Sequence, residues 1–364
     1  MPNIELRNIT MKFGKVTAVE GVNLIIHEGE YLAVLGPSGC GKTTIAKIIS
    51  GILEPTEGEV LIDGKRMNGI PPEERRIGYV FQNIVLFPNL NVWDNATYSP
   101  RVRGLTVSQQ RAIGQETLAL VGMMAESKKI PSELSGGAQQ KVGLARALAT
   151  RAGLLIFDEP LSALDARVRV DLRYTLRRLV KDLGLTSLHV THDQEEAMSV
   201  ADRIVIMRKG RIVEDGPPID LYSRPRDIFT ANFLGESNFL EGVVDRTIGS
   251  LAVIELRNEQ FLRVRSDGVK RGEAVVLSVR PENLTLAKLA AAPMLIGKVQ
   301  DTHFAGSYVR YEVLARTGDL IMVDSSTDEA RFNRGEDVII VFDPRNVRVY
   351  PRPYAGLQEA LKLE

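Results

Sequence analysis

The chain predicts an α/β fold built on a largely parallel sheet and followed by a smaller all-β, OB-like domain. Three observations predict it. Short apolar runs of strand length alternate with amphipathic helical runs over the first ~235 residues. A glycine-rich loop joins one of those runs to a helix. Past residue 236 the helical texture gives way to short β-rich runs separated by turn signals. Residues 1–235 are therefore expected to form one domain and residues 236–364 another, in keeping with a length beyond one ordinary core.

The elements follow in order. Tyr31-Leu32-Ala33-Val34-Leu35, bounded by Gly29 and Gly36, reads as a buried strand. Leu154-Leu155-Ile156-Phe157, Ser187-Leu188-His189-Val190 and Arg203-Ile204-Val205-Ile206-Met207 read as three more. Val168, Leu172, Leu176, Leu179 and Leu183 recur at steps of three and four, with Arg and Asp on the rest of the cylinder, so they predict an amphipathic helix. In the second domain the strand candidates are 274–279, 308–314 and 338–342, with turns at Ser266-Asp267-Gly268 and Thr317-Gly318-Asp319. They suggest a small barrel or sandwich, and 357–363 a short terminal helix.

Composition excludes several classes. Lys plus Arg and Asp plus Glu each total 46, so no basic excess supports a mainly electrostatic nucleic-acid binder, although a local patch stays open. The single cysteine, Cys40, rules out an internal disulfide and a Cys-rich metal site. Residues 1–5 carry no leader signal, and the apolar runs at 338–342 and 289–296 fall short of the ~18–20 residues of a membrane span. The expectation is a cytoplasmic chain able to sit on a membrane partner.

Gly36-Pro37-Ser38-Gly39-Cys40-Gly41-Lys42-Thr43 fits G-x-x-x-x-G-K-[ST] between a strand and a helix expected at 43–50. Glycines let the backbone turn its N–H groups onto phosphate oxygens, and the helix N-terminus adds positive charge. Lys42 then holds the β- and γ-phosphates and Thr43 offers its hydroxyl to Mg²⁺. Phe157-Asp158-Glu159 closes an apolar run, which suits Asp158 to hold Mg²⁺ through water and Glu159 to orient or deprotonate an attacking water. Leu134-Ser135-Gly136-Gly137 precedes a helix expected at 138–148; it reads either as a Ser N-cap after a glycine turn or as a second anion site. Two phosphate sites for one nucleotide suggest that each completes the other across a dimer. Cys40 is either an inert small residue or a thiol activated at a helix N-terminus.

In this order the residues resemble the ATP-binding subunits of ABC transporters, over the whole chain. Carrying the resemblance are Phe13, the Walker A loop 36–43, and Gln82 within Tyr79-Val80-Phe81-Gln82-Asn83. The signature Leu134-Ser135-Gly136-Gly137-Ala138, Walker B at 154–159, the D-loop Ser162-Ala163-Leu164-Asp165 and the switch histidine in Val190-Thr191-His192-Asp193 complete it. The resemblance implies that Phe13 stacks on adenine and that Gly36, Pro37, Ser38, Gly39, Cys40, Gly41, Lys42, Thr43 and Thr44 wrap the phosphates of ATP. It implies that Thr43, Gln82 and Asp158 hold Mg²⁺, and that Glu159, with Lys42, Gln82 and His192, carries hydrolysis. Ser135, Gly136, Gly137 and Asp165 are implied to belong to the nucleotide site, the signature residues facing 36–44 of a second copy. Ala138 departs from the family's usual glutamine, and losing one hydrogen bond of that kind costs about 0.5–1.5 kcal/mol. Lys141 and Gly143 stand where arginine and alanine are frequent.

The later segment resembles the transport-associated OB-like (TOBE) domain that follows the ATPase in one importer subfamily. Gly235-Glu236-Ser237-Asn238, Val279-Arg280-Pro281-Glu282, His303-Phe304-Ala305-Gly306-Ser307 and Gly335-Glu336-Asp337-Val338 before Phe342-Asp343-Pro344 carry that likeness. It implies a domain that holds two ATPase subunits together and receives regulatory signals. Aromatics at 6% and no basic stripe leave no stacking platform for nucleic acid. Leu86, Phe87, Leu90, Val92 and Trp93 are either a subdomain core or the groove that receives a helix from a membrane subunit.

The expected function is the ATPase of a binding-protein-dependent importer: a homodimer on the inner face of the membrane, bound to separate permease subunits and indirectly served by a solute-binding protein. Sugars, polyamines, iron and oxyanions are the subfamily's solutes, and the Gly-Glu-Ser-Asn segment leans toward polyamine and iron. The alternatives are a soluble ABC ATPase acting on nucleic acid or the ribosome, and an ATP-operated regulatory module that hardly turns over. The Asp158-Glu159 pair argues against the second.

Overall fold

In a computed structural model the chain forms two compact units, Met1–Pro218 and Ile219–Leu363. The structure describes residues 1–82, 86–162, 164–265, 268–288, 295–328 and 331–363. Asn83, Ala163, Ser266, Asp267 and most of the 289–296 run lie outside the described residues.

The first unit runs β1 (Ile4–Phe13), β2 (Val16–Ile26), β3 (Tyr31–Leu35), α1 (Lys42–Ser50), β4 (Glu57–Ile62), β5 (Lys65–Arg66), β6 (Ile77–Val80), α2 (Val92–Ala96), α3 (Tyr98–Val102), α4 (Val107–Leu120), α5 (Gly136–Leu148), β7 (Leu154–Asp158), α6 (Ala166–Asp182), β8 (Thr186–Thr191), α7 (Gln194–Val200), β9 (Arg203–Arg208) and β10 (Arg211–Gly216). A six-stranded sheet has the order β10-β9-β3-β8-β7-β6, parallel except for β10. The four expected strands are β3, β7, β8 and β9, and the periodic leucine helix is α6.

Both faces of this sheet are buried, as unbroken apolar runs require. Leu32, Val34, Leu154, Ile156, Leu188 and Val190 point into a core shared with α1 and a four-stranded antiparallel sheet, β2-β1-β4-β5. Tyr31, Leu155 and Phe157 point the other way, against Leu172, Leu176 and Leu179 of α6 and Val142 and Ala145 of α5. Helix α5 is unbroken despite Gly143, which is buried in it. Its first turn takes in Gly136 and Gly137, earlier than expected, because Ser135 caps it by accepting from Ala138 N at 3.4 Å.

The antiparallel sheet carries Phe13 at its first hairpin, where the ring is about half exposed. Leu86 and Val92 are core residues, whereas Phe87 stays open, its ring tilted against that of Tyr98 with centroids 4.3 Å apart.

The second unit holds α8 (Pro218–Ser223, its first residue at the boundary), α9 (Ile228–Phe233), β11 (Asn238–Ile248), β12 (Leu251–Glu255), β13 (Phe261–Arg265), β14 (Ala274–Val279), β15 (Leu284–Lys288), β16 (Leu295–Phe304), β17 (Tyr308–Ala315), β18 (Leu320–Ser326), β19 (Asp337–Phe342), β20 (Arg348–Pro351) and α10 (Leu357–Leu361). Its strands form two antiparallel five-stranded sheets, β13-β12-β11-β14-β20 and β15-β19-β16-β17-β18, around one apolar core. Helix α9 packs with this β unit: buried Arg280 donates to Ala231 O and Glu236 O, both at 2.9 Å, and lies over the Tyr222 ring.

Arg75 anchors the far end of α1. Its buried guanidinium donates to Ile48 O, Ile49 O and Ile70 O at 2.9 Å and to Met67 O at 2.8 Å, so it satisfies carbonyls that a helix C-terminus leaves open. Arg75→Met is expected to destabilise the first unit by about 2–4 kcal/mol, because buried acceptors of a charged donor go unpaired. Trp93, the only tryptophan, reports that unit's urea unfolding. An unchanged midpoint would remove Arg75 from this role.

Candidate functional site

Strand β3 ends at Leu35 and α1 begins at Lys42; the loop between them has a geometry only glycine allows at two points. At Gly36 a side chain would strike Met207 O and the Cys40 sulfur. Gly41 has φ +105° and faces Ala18 O where a β-carbon would go. Gly41 caps α1 without a side chain, which leaves the first-turn N–H groups for an anion.

Lys42 is buried, and its ammonium donates to Gly36 O and Pro37 O, both at 2.8 Å. Next to it, Thr43 Oγ1 donates to Asp158 Oδ1 at 2.9 Å. Asp158 ends β7 and is also buried. Its other oxygen, Oδ2, accepts from Tyr79 Oη at 2.9 Å. Burial, reinforced by the Asp158 charge, pushes the Tyr79 phenol up, so it stays a donor.

One residue further on, Glu159 adopts φ +48°, and its N–H donates to Val190 O at 2.9 Å. That kink turns its carboxylate into a cluster: Gln82 Nε2 donates to Glu159 Oε2 at 2.8 Å, and His192 Nδ1 lies 3.2 Å from the same oxygen. Lys42 and Thr43 from α1, Asp158 and Glu159 from β7, Gln82 after β6 and His192 after β8 thus converge on the carboxyl edge of the parallel sheet.

Other expected residues stand apart. Phe13, Ser135, Gly136, Gly137 and Asp165 have no side-chain hydrogen bond to this cluster among the described residues. Ser135 caps α5, and Asp165 caps α6 by accepting from Val168 N at 3.1 Å. Cys40 is almost fully buried; burial pushes its thiol up against the opposing pull of Lys42, so the structure favours the inert alternative over the activated thiol. Sequence reasoning assigned Tyr79 no role; its proximity to Asp158 spans strands β6 and β7, and no local spacing signals it.

The ABC transporter family model matches residues 19–162, and the TOBE domain model matches residues 277–349. A spermidine/putrescine import ATP-binding protein from Rubrobacter xylanophilus is 41% identical over 94% of this chain and 92% of its own length. This chain belongs to the ATP-binding subunits of ABC transporters, with a C-terminal TOBE domain. It is an ABC ATPase. An Fe(3+) ions import ATP-binding protein from Rhizobium meliloti is 40% identical over 95% of this chain and 97% of its own. Among solved structures, a dimeric post-hydrolysis state of the ATP-binding cassette MJ0796 bound to ADP and Pi superposes with a TM-score of 0.54 at 33% identity, over 59% of this chain and 98% of that one.

Alkylation tests the placement of Cys40 in the loop. Modification by iodoacetamide is expected to be slow at pH 7.5, to accelerate as pH rises past the ordinary thiol range, and to slow further with Mg-ATP. Equal rates with and without Mg-ATP would place the sulfur away from the nucleotide.

Proposed function

We propose that this ABC ATPase drives a binding-protein-dependent importer as a head-to-tail homodimer, with residues 1–235 as its nucleotide-binding domain and 236–364 as a dimerising and regulatory one. The observation that carries the reading is the carboxylate of Glu159, placed within reach of Gln82 and His192 beside the Thr43–Asp158 pair. Residues 36–44 wrap the phosphates of ATP, and Phe13 stacks on the adenine at about 1–3 kcal/mol if the stacking matches that on nucleic-acid bases. Ser135, Gly136 and Gly137 of the second copy close over the γ-phosphate, and Asp165 belongs to the same nucleotide site; within one chain Ser135 and Asp165 only cap their own helices.

A hydroxyl and a carboxylate oxygen in contact, with an amide nearby, suit a hard divalent cation. Thr43 and Asp158 would hold Mg²⁺, with Gln82 at its edge, and the ion would neutralise developing phosphate charge. Lys42 exchanges its loop carbonyls for the β- and γ-phosphates. Glu159 orients the attacking water and takes its proton, and His192 holds Glu159 and the γ-phosphate in register. Closure of the dimer drives alternating access in separate permease subunits, and hydrolysis resets it. No helix among the described residues is long and apolar enough to cross a membrane; the chain sits in the cytoplasm on the inner face of the membrane. The relatives' names, spermidine/putrescine and Fe(3+), support a small cationic solute delivered by a solute-binding protein.

Three measurements test the reading. Glu159→Gln is expected to cut kcat at least about a hundredfold, the scale of a lost general base, while ATP still binds; retained turnover would assign the water to another group. Ala138→Gln is expected to tighten ATP-driven closure by up to about tenfold through one regained hydrogen bond, and no change in ATP affinity or turnover would show position 138 silent. Affinity isolation from detergent-solubilised membranes should recover polytopic membrane proteins, whereas ribosomes or nucleic acid alone would replace the importer reading.

A further inference from the structure

Beneath the loop that carries His192 lies a buried polar chain that the proposed mechanism does not use. Tyr31 and His189 are fully buried, and Thr191 and Glu196 nearly so. Tyr31 belongs to β3, which leads into the phosphate loop; His189 and Thr191 belong to β8, which leads into the His192 turn; Glu196 is on α7. Tyr31 Oη lies 2.8 Å from His189 Nδ1, and His189 Nε2 lies 3.0 Å from Glu196 Oε1. Thr191 Oγ1 donates to Glu196 Oε2 at 2.5 Å.

The chain ends on an acceptor. Burial alone would raise the Glu196 carboxyl, but the His189 ring, the Thr191 hydroxyl and the Arg173 charge outweigh it and hold the carboxyl low. An ionised carboxylate only accepts, so His189 Nε2 donates to it. The Tyr31 hydroxyl has no other hydrogen-bond partner than His189 Nδ1 among the described residues. Every member has a partner: Tyr31 meets His189, His189 meets Glu196, and Thr191 meets Glu196 from the far side.

The chain ends on the turn itself. Asp193 N donates to Thr191 Oγ1, and Glu196 N donates to Asp193 Oδ1, both at 3.0 Å. Asp193 Oδ2 faces Arg169 at 3.5 Å and Arg173 at 3.6 Å. His192 is thus flanked on both sides by residues fastened to Glu196, while its own ring is half exposed and reaches Glu159.

We propose that His189 and Glu196 are positioning residues for ATP hydrolysis, which lock the Thr191–Asp193 turn to the strand that feeds the phosphate loop and so hold His192 against Glu159. The inference rests on the proposed role of His192. A half-satisfied buried network releases its members, and here the member released is the turn.

The test compares kcat and KM for ATP in the full-length chain and in its variants. His189→Phe, which keeps a ring but removes both nitrogens and so both hydrogen bonds, is expected to lower kcat at least about tenfold, since one such bond is worth up to about that much. KM should stay within about twofold, because the phosphate loop is untouched. His189→Gln, with a donor and an acceptor, should recover most of the loss. Combined with His192→Ala, His189→Phe should cause no further fall in kcat, since it acts through His192; a merely structural role would multiply the two effects. Wild-type kcat in His189→Phe, or the same fold-loss in both backgrounds, overturns the inference. A His192→Ala enzyme at full rate overturns the underlying reading of His192 instead. If His189→Phe does not fold, Tyr31→Phe removes a single oxygen from the same chain and carries the same comparison.

Discussion

A parallel sheet buried on both faces leaves its polar side chains almost no place except its carboxyl edge. Here that constraint organises the first unit. Strands β3, β6, β7 and β8 are lined on both sides by apolar residues, so the backbone itself carries Lys42, Gln82, Asp158, Glu159 and His192 to one rim. The reach between them is then short enough for direct hydrogen bonds, and each carboxylate meets partners from neighbouring strands rather than from its own. The Tyr31–His189–Glu196 chain also lies inside this core, where its polar atoms meet one another.

Much of this was legible from residue order. Uninterrupted apolar runs give strands buried on two faces, and the leucine period gives α6, because hydrophobic burial acts on position along the chain. The phosphate loop was legible too, since Gly36 and Gly41 stand where a side chain would strike the backbone. What could not be read were pairings between distant segments. Tyr79 and Asp158 meet because β6 and β7 are neighbours, and Tyr31 and His189 because β3 and β8 are. In the sequence, His189 and Tyr31 sit within apolar runs and look like plain core. The helices before Gly235 read as part of the α/β region by texture, yet Arg280 fastens α9 to the β unit through carbonyls that no pattern reveals.

The two lines of likeness also divide along physical grounds. The nucleotide machinery is a set of fixed spacings, which a family model matches from 19 to 162. The β unit is alternation and turns, a weaker signal, matched over 277–349. Among the described residues no group of three or more histidine, cysteine, aspartate or glutamate side chains converges as metal ligands would.

The two carbonyl bonds of Lys42 have a consequence for selectivity. A buried ammonium already held by Gly36 O and Pro37 O is not a bare charge awaiting any anion. To capture it, a ligand must return at least two acceptors in the right directions, so the gain is a difference between two solvating shells and not a full Coulombic attraction. Chloride offers one acceptor atom and a carboxylate two, while a chain of phosphates offers several oxygens at once. On the proposed reading the loop would thus favour anions by how many oxygens they present, where a bare lysine would respond to charge alone.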